Sequence, residues 1–110
     1  MRRVDNRGRE QMAKIDFRKL KAEAKGQLER VLESILPDGT KDGREWVALN
    51  PTRTDRKKGS FRINMDSGLW ADFATSDRGG DIISLIAYVD GSGQYEAAKK
   101  LKGMLRGDHE

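Results

Sequence analysis

The chain of 110 residues carries 22 Lys and Arg against 18 Asp and Glu, a formal net charge of +4, with 35% hydrophobic and 36% charged residues. That length suits about one domain and speaks against a large multi-domain enzyme, while the absence of cysteine excludes disulfides, Cys-ligated zinc and a thiol nucleophile. No apolar run approaches the roughly 18 residues of a membrane span, and no apolar stretch follows the basic start MRRVDNRGRE as a signal peptide requires, so a soluble, cytoplasmic protein is expected.

Residues 1–14 read as a flexible basic tail and 107–110 as a second one, which leaves a single domain over 15–106. One long helix is predicted over 16–36. Asp16 is placed to cap its first amides, with Ile15 and Leu20 as a hydrophobic staple. Leu28, Val31, Leu32, Ile35 and Leu36 then follow the spacing of one helix face. Gly26 costs about 1 kcal/mol relative to Ala and is expected to weaken the helix without ending it; Pro37-Asp38-Gly39 ends it.

From Gly43 to Phe73 the apolar period changes to two, the pattern of strands with alternating faces. Three strands fit, at 45–49, 60–65 and 69–73, in an antiparallel sheet over 45–73. Asp66-Ser67-Gly68 suits a three-residue hairpin loop because Gly68 tolerates the left-handed backbone such a loop needs. Gly79-Gly80-Asp81 marks the return to helix, predicted over 81–90 with Asp81 as its cap and Gly91 as its end, and a last helix is predicted over 93–105. The expected architecture is α+β: one long N-terminal helix, a three-stranded antiparallel sheet and two C-terminal helices.

The basic excess is local. Arg53, Arg56, Lys57, Lys58 and Arg62 face a single nearby acid, Asp55, whereas the last third of the chain is not basic. Such a cluster suits either phosphate contact or a merely solvated loop.

Asn50-Pro51-Thr52-Arg53, Gly59-Ser60-Phe61-Arg62-Ile63, Gly68-Leu69-Trp70-Ala71-Asp72-Phe73 and Gly79-Gly80-Asp81-Ile82-Ile83-Ser84-Leu85, taken in this order, resemble the N-terminal zinc-ribbon domain of bacterial and phage DNA primases. In that family a Cys-Pro-x-His pair precedes a Ser-Phe strand, a Cys-x-x-Cys pair follows a Gly-aromatic strand, and Gly-Gly-Asp opens the next helix. Gly91, Glu96-Ala97-Ala98 and Leu101 resemble the family's last helix, so the likeness spans about half the chain and leaves out the N-terminal helix. The four metal positions correspond to Asn50, Arg53, Asp72 and Thr75. None of these is a Cys or His, so the resemblance implies a metal-free finger whose stability comes from packing. This zinc-less form resembles the leading segment of primase-helicases of phages and mobile elements, where a catalytic domain typically follows.

The resemblance implies contact with single-stranded template DNA, with RNA as a variant, in phage or mobile-element replication, with a primase catalytic domain or a helicase as partner and no cofactor. The residues expected to carry it are Arg53, Arg56, Lys57, Lys58, Arg62, Trp70 and Arg78. Strand alternation puts Trp70 opposite Leu69 and Phe73, and Arg62 opposite Phe61 and Ile63, so Trp70 and Arg62 are expected to share an exposed platform that Trp46 can join. The other reading buries both tryptophans beneath residues 28–36. Gly79-Gly80-Asp81 fits either a phosphate cradle beside Arg78 or plain helix-entry geometry. Catalysis has little to draw on: Asp66, Asp72, Asp77 and Asp81 sit at turns and caps, His109 near the end, and Ser60 and Ser84 without a base. The competing function is a protein-interaction module docking a replication protein or host factor through the apolar helix face at 28–36, without DNA affinity.

Overall fold

In the computed structural model, which describes residues 15–106, the Asp16 carboxylate accepts a hydrogen bond from the Lys19 amide at 3.1 Å and starts helix α1 (Phe17–Lys25). The two expected tails lie outside the described residues. Helix α2 (Leu28–Ile35) is separate from α1: Gln27 leaves helical geometry at φ −134°, and its amide closes a tight turn on the Ala24 carbonyl at 2.8 Å. The single helix expected over 16–36 is therefore two. Leu20, Ala24, Leu28, Val31 and Leu32 keep a continuous helical spacing and are all buried, so the apolar stripe runs through the break and hides it from the periodicity.

The sheet has five antiparallel strands in chain order, not three: β1 (Thr40–Asp42), β2 (Glu45–Ala48), β3 (Phe61–Asn64), β4 (Trp70–Asp72) and β5 (Asp77–Gly79). The three expected strands are the inner ones. The two missed strands form the edges, and every residue of β1 is exposed, so neither has a buried face to impose a period of two. Both hang on turns. Gly43, at φ 63°, and Arg44 join β1 to β2, while Ser76, at φ 74°, closes the β4–β5 turn on the Asp72 carbonyl at 2.8 Å. Short, charged edges also discourage pairing with other chains.

Helix α3 (Ile82–Asp90) carries a capping box in which Ser84 N donates to Asp81 at 2.8 Å, and Gly91 ends it in the left-handed conformation at φ 67°. Helix α4 (Gln94–Arg106) completes the α+β fold, giving four helices among the described residues. None of them is long and apolar enough to cross a membrane.

Register decides which strand residues meet the helices. Ile63 lies opposite Trp70, and Phe61 opposite both Ala48 and Asp72; directly paired residues share a face. Trp46, Ala48, Phe61, Ile63 and Trp70 thus form an inner face that packs with Leu32, Leu36, Leu85, Ile86 and Leu101 in one core. Trp46 donates its indole N–H to the Leu36 carbonyl at 3.0 Å, and Trp70 donates its own to Ser84 Oγ at 3.0 Å while lying 4.7 Å from the Tyr88 ring. Gly79, paired with Trp70, leaves room for that indole: a Cβ there would sit 2.5 Å from Trp70 Nε1 and 2.6 Å from Ser84 Oγ. Gly79→Ala is expected to cost about 1–3 kcal/mol as overpacking. Gly80→Ala, whose Cβ meets nothing within 4 Å, should leave the urea midpoint nearly unchanged.

Candidate functional site

Asn50 and Arg53, from one stretch of the chain, meet Asp72 and Thr75, from another, at one end of the sheet. Asp72 is fully buried and Asn50 nearly so. Asn50 Nδ2 donates to Asp72 Oδ2 at 2.7 Å and to the Tyr88 hydroxyl at 2.8 Å. Arg53 reaches the same carboxylate twice, from Nε at 2.9 Å and from Nη2 at 3.3 Å, and Nη2 also donates to Ser60 Oγ at 3.1 Å. Asp72 Oδ1 further accepts the Ala74 amide at 2.9 Å, while the Thr75 hydroxyl donates to the Asp72 backbone carbonyl and accepts the Asp77 amide, without touching the carboxylate. Tyr88 donates its own hydroxyl proton to Asp77 at 2.7 Å. Every buried side-chain polar atom among the described residues has a partner.

The electrostatics follow from this crowding. Burial by itself would raise the Asp72 carboxyl, but the donors from Arg53, Asn50, the Ala74 amide and Ser60 outweigh it and hold the group well below the usual carboxylate range. In return, the hydrogen bond to Asp72 raises the Arg53 guanidinium, against desolvation and with help from Asp55. The set does not fit zinc. It offers one carboxylate, one amide, one hydroxyl turned to the backbone and a guanidinium with no lone pair to give, and among the described residues no group of three or more His, Cys, Asp or Glu could hold a metal. A cation is nevertheless bound to the lone carboxylate, and it is the side chain of Arg53.

Arg53 is thus committed to the fold, and so is Arg62, which bonds Glu45 at 2.8 Å, Asp42 at 3.1 Å and the Gly59 carbonyl at 2.8 Å. Arg56, Lys57, Lys58 and Arg78 are exposed and make no ion pair among the described residues. The expected platform of Trp70 and Arg62 does not exist. Arg62 pairs with Ala71 rather than with Trp70, so the two side chains lie on opposite faces; Trp70 is 6% exposed and belongs to the core, as does Trp46 at 5%. Gly80 and Asp81 offer helix entry: the Asp81 side chain takes the Ser84 amide, Ser84 Oγ takes that of Asp81, and Lys21 pairs with Asp81 at 3.2 Å.

The outer face of the sheet carries what the strand alternation concealed. Phe73 is 73% exposed and Leu69 57%. They border a shallow groove of about 590 Å³ that also includes Arg62, Asn64, Ala71 and Arg78. The Phe73 amide bonds the Ser60 carbonyl at 2.8 Å, which ties Phe73 to the residue that follows the basic loop. On the apolar face at 28–36, Leu28, Val31, Leu32 and Leu36 are at most 3% exposed and belong to the core, while Ile35 is partly buried and lines a shallow depression with Val31 and Met104. The aspartates considered for catalysis are each engaged separately, Asp66 with Arg44, Asp72 with Arg53, Asp77 with Tyr88 and Asp81 with its own helix. No family model, characterised protein or solved structure matches the chain.

Proposed function

We propose that the chain is a non-catalytic nucleic-acid-binding module that holds single-stranded DNA across the outer face of its sheet, working beside a primase catalytic domain or a helicase. One observation carries the reading: a phenylalanine 73% exposed just past β4, bordering a groove with the unpaired Arg78 and tied through the Ser60 carbonyl to the strand that follows the unpaired Arg56, Lys57 and Lys58. An aromatic ring left in water at the start of the β4–β5 turn has no role in the core, and it offers a stacking surface for bases. The neighbouring cations supply phosphate contacts independent of sequence. Arg53 and Arg62 contribute by shaping the loop and the face, since their charges are already paired.

The charge-reversed variant R56E/K57E/K58E tests the reading. All three side chains are exposed, so its thermal midpoint should stay within a few degrees of the parent. Its affinity for a short single-stranded oligonucleotide should fall. The slope of log affinity against log salt should flatten by about 2, because each phosphate that a cation no longer neutralises removes roughly 0.7 from it. Unchanged binding removes the loop from the site.

A further inference from the structure

The groove on the outer face does not end at the edge of the sheet. Gly80, which lines it, also lines a second depression of about 300 Å³ on the far side of the β3–β4 hairpin, between Ser67-Gly68 and helix α1. The wall of that depression is basic: Arg18, Lys21 and Lys25 come from one face of α1 at a spacing of three and four residues. Lys21 is partly neutralised by Asp81. Arg18 and Lys25 are exposed and make no ion pair among the described residues. Between the two depressions Gly80 has no side chain, and the space over it is open.

We infer that the nucleic-acid strand leaves the outer face over Gly80 and continues along α1, where Arg18, Lys21 and Lys25 hold its backbone. This rests on the proposed function and extends its footprint. The floor of the second depression, Leu28 and Ile82, is buried, with no exposed aromatic, so this segment grips phosphates without stacking bases. The site therefore has two parts: an aromatic one that a few nucleotides fill, and an electrostatic one that only a longer strand reaches.

Length separates them. The parent and the variant R18E/K25E are titrated with labelled oligothymidylates of about 4 and about 14 nucleotides, a range typical of single-strand sites. The variant should match the parent on the short strand. On the long strand it should bind at least about tenfold more weakly, with a salt slope smaller by about 1.4, the value for two phosphates left without a cation on a single strand. Equal affinity of variant and parent on both strands overturns the α1 segment, and so does an equal weakening on both. No binding by the parent at either length overturns the proposed function and this inference together. Arg18→Gln with Lys25→Gln gives the same length dependence in weaker form if charge is the cause, and an unchanged far-ultraviolet circular dichroism spectrum confirms that both variants fold.

Discussion

Asp72→Ala is expected to destabilise the domain by about 3 kcal/mol, since it removes a fully buried carboxylate from a partly buried guanidinium and leaves Asn50 Nδ2 and the Ala74 amide short of an acceptor. Against a total stability of about 5–15 kcal/mol, that is a large share. The exposed edge of Arg53 keeps the effect near the lower end of what a fully enclosed pair would show. Asp72→Asn, which preserves shape and one acceptor, should destabilise less, and the gap between the two variants measures the worth of the charge. Urea unfolding followed by circular dichroism reads both. Chelator should move neither midpoint, because Arg53, not a metal ion, holds the carboxylate.

The same residue sets a pH dependence. The Asp72 carboxyl titrates below its ordinary 3.8 when folded, so its stabilising contribution is complete above about pH 4 and disappears as the pH falls further toward the folded value. The difference in stability between the parent and Asp72→Ala should therefore be constant from neutral pH down to about 4 and shrink below it. A constant difference down to about pH 2 would mean that the ion pair contributes nothing and that packing alone accounts for the destabilisation.

The second large effect belongs to Phe73. Phe73→Ala should weaken single-strand binding by about 1–3 kcal/mol, roughly 5- to 150-fold, the contribution of one stacked base. Its effect on stability should be small or favourable, since the ring is mostly in water. Phe73→Trp should restore binding and report it, because a stacked indole at this exposed position is quenched by the base. Trp70→Phe offers the contrast: it alters the core beneath α3 and should lower stability while leaving the affinity of the folded fraction intact.

Much of this fold is legible in the residues, and the misses share one cause. Elements with a buried face announce themselves: the three inner strands, the Asp81 cap and the Gly91 stop of α3 stand where spacing and caps place them. The edge strands bury little, so hydrophobic periodicity is blind to them, and the break at Gln27 leaves the apolar stripe of α1 and α2 in phase. The site was obscured by the alternation around β4. Leu69, Ala71 and Phe73 form the more apolar set, yet they face outward, and the set containing a charged residue, Trp70 and Asp72, faces in. Composition favours the wrong face there. The residue that reverses it is Arg53, whose bond to Asp72 makes an inward carboxylate tolerable, and that pairing spans 19 residues, beyond the reach of any local pattern. That Asn50, Arg53 and Asp72 meet, with an arginine as the cation on a buried carboxylate, is visible only in three dimensions.

The proposed site puts the single strand on the outer face and not on the tryptophans. It is tested most directly by titrating the intact chain with a labelled single-stranded oligonucleotide at about 50 and 200 mM salt, following anisotropy and tryptophan emission together. Anisotropy should rise on binding and the affinity should weaken at the higher salt, with the emission of buried Trp46 and Trp70 nearly unchanged. Strong tryptophan quenching on binding would place the strand against the core side of the sheet and contradict the claim, as would no binding at the lower salt.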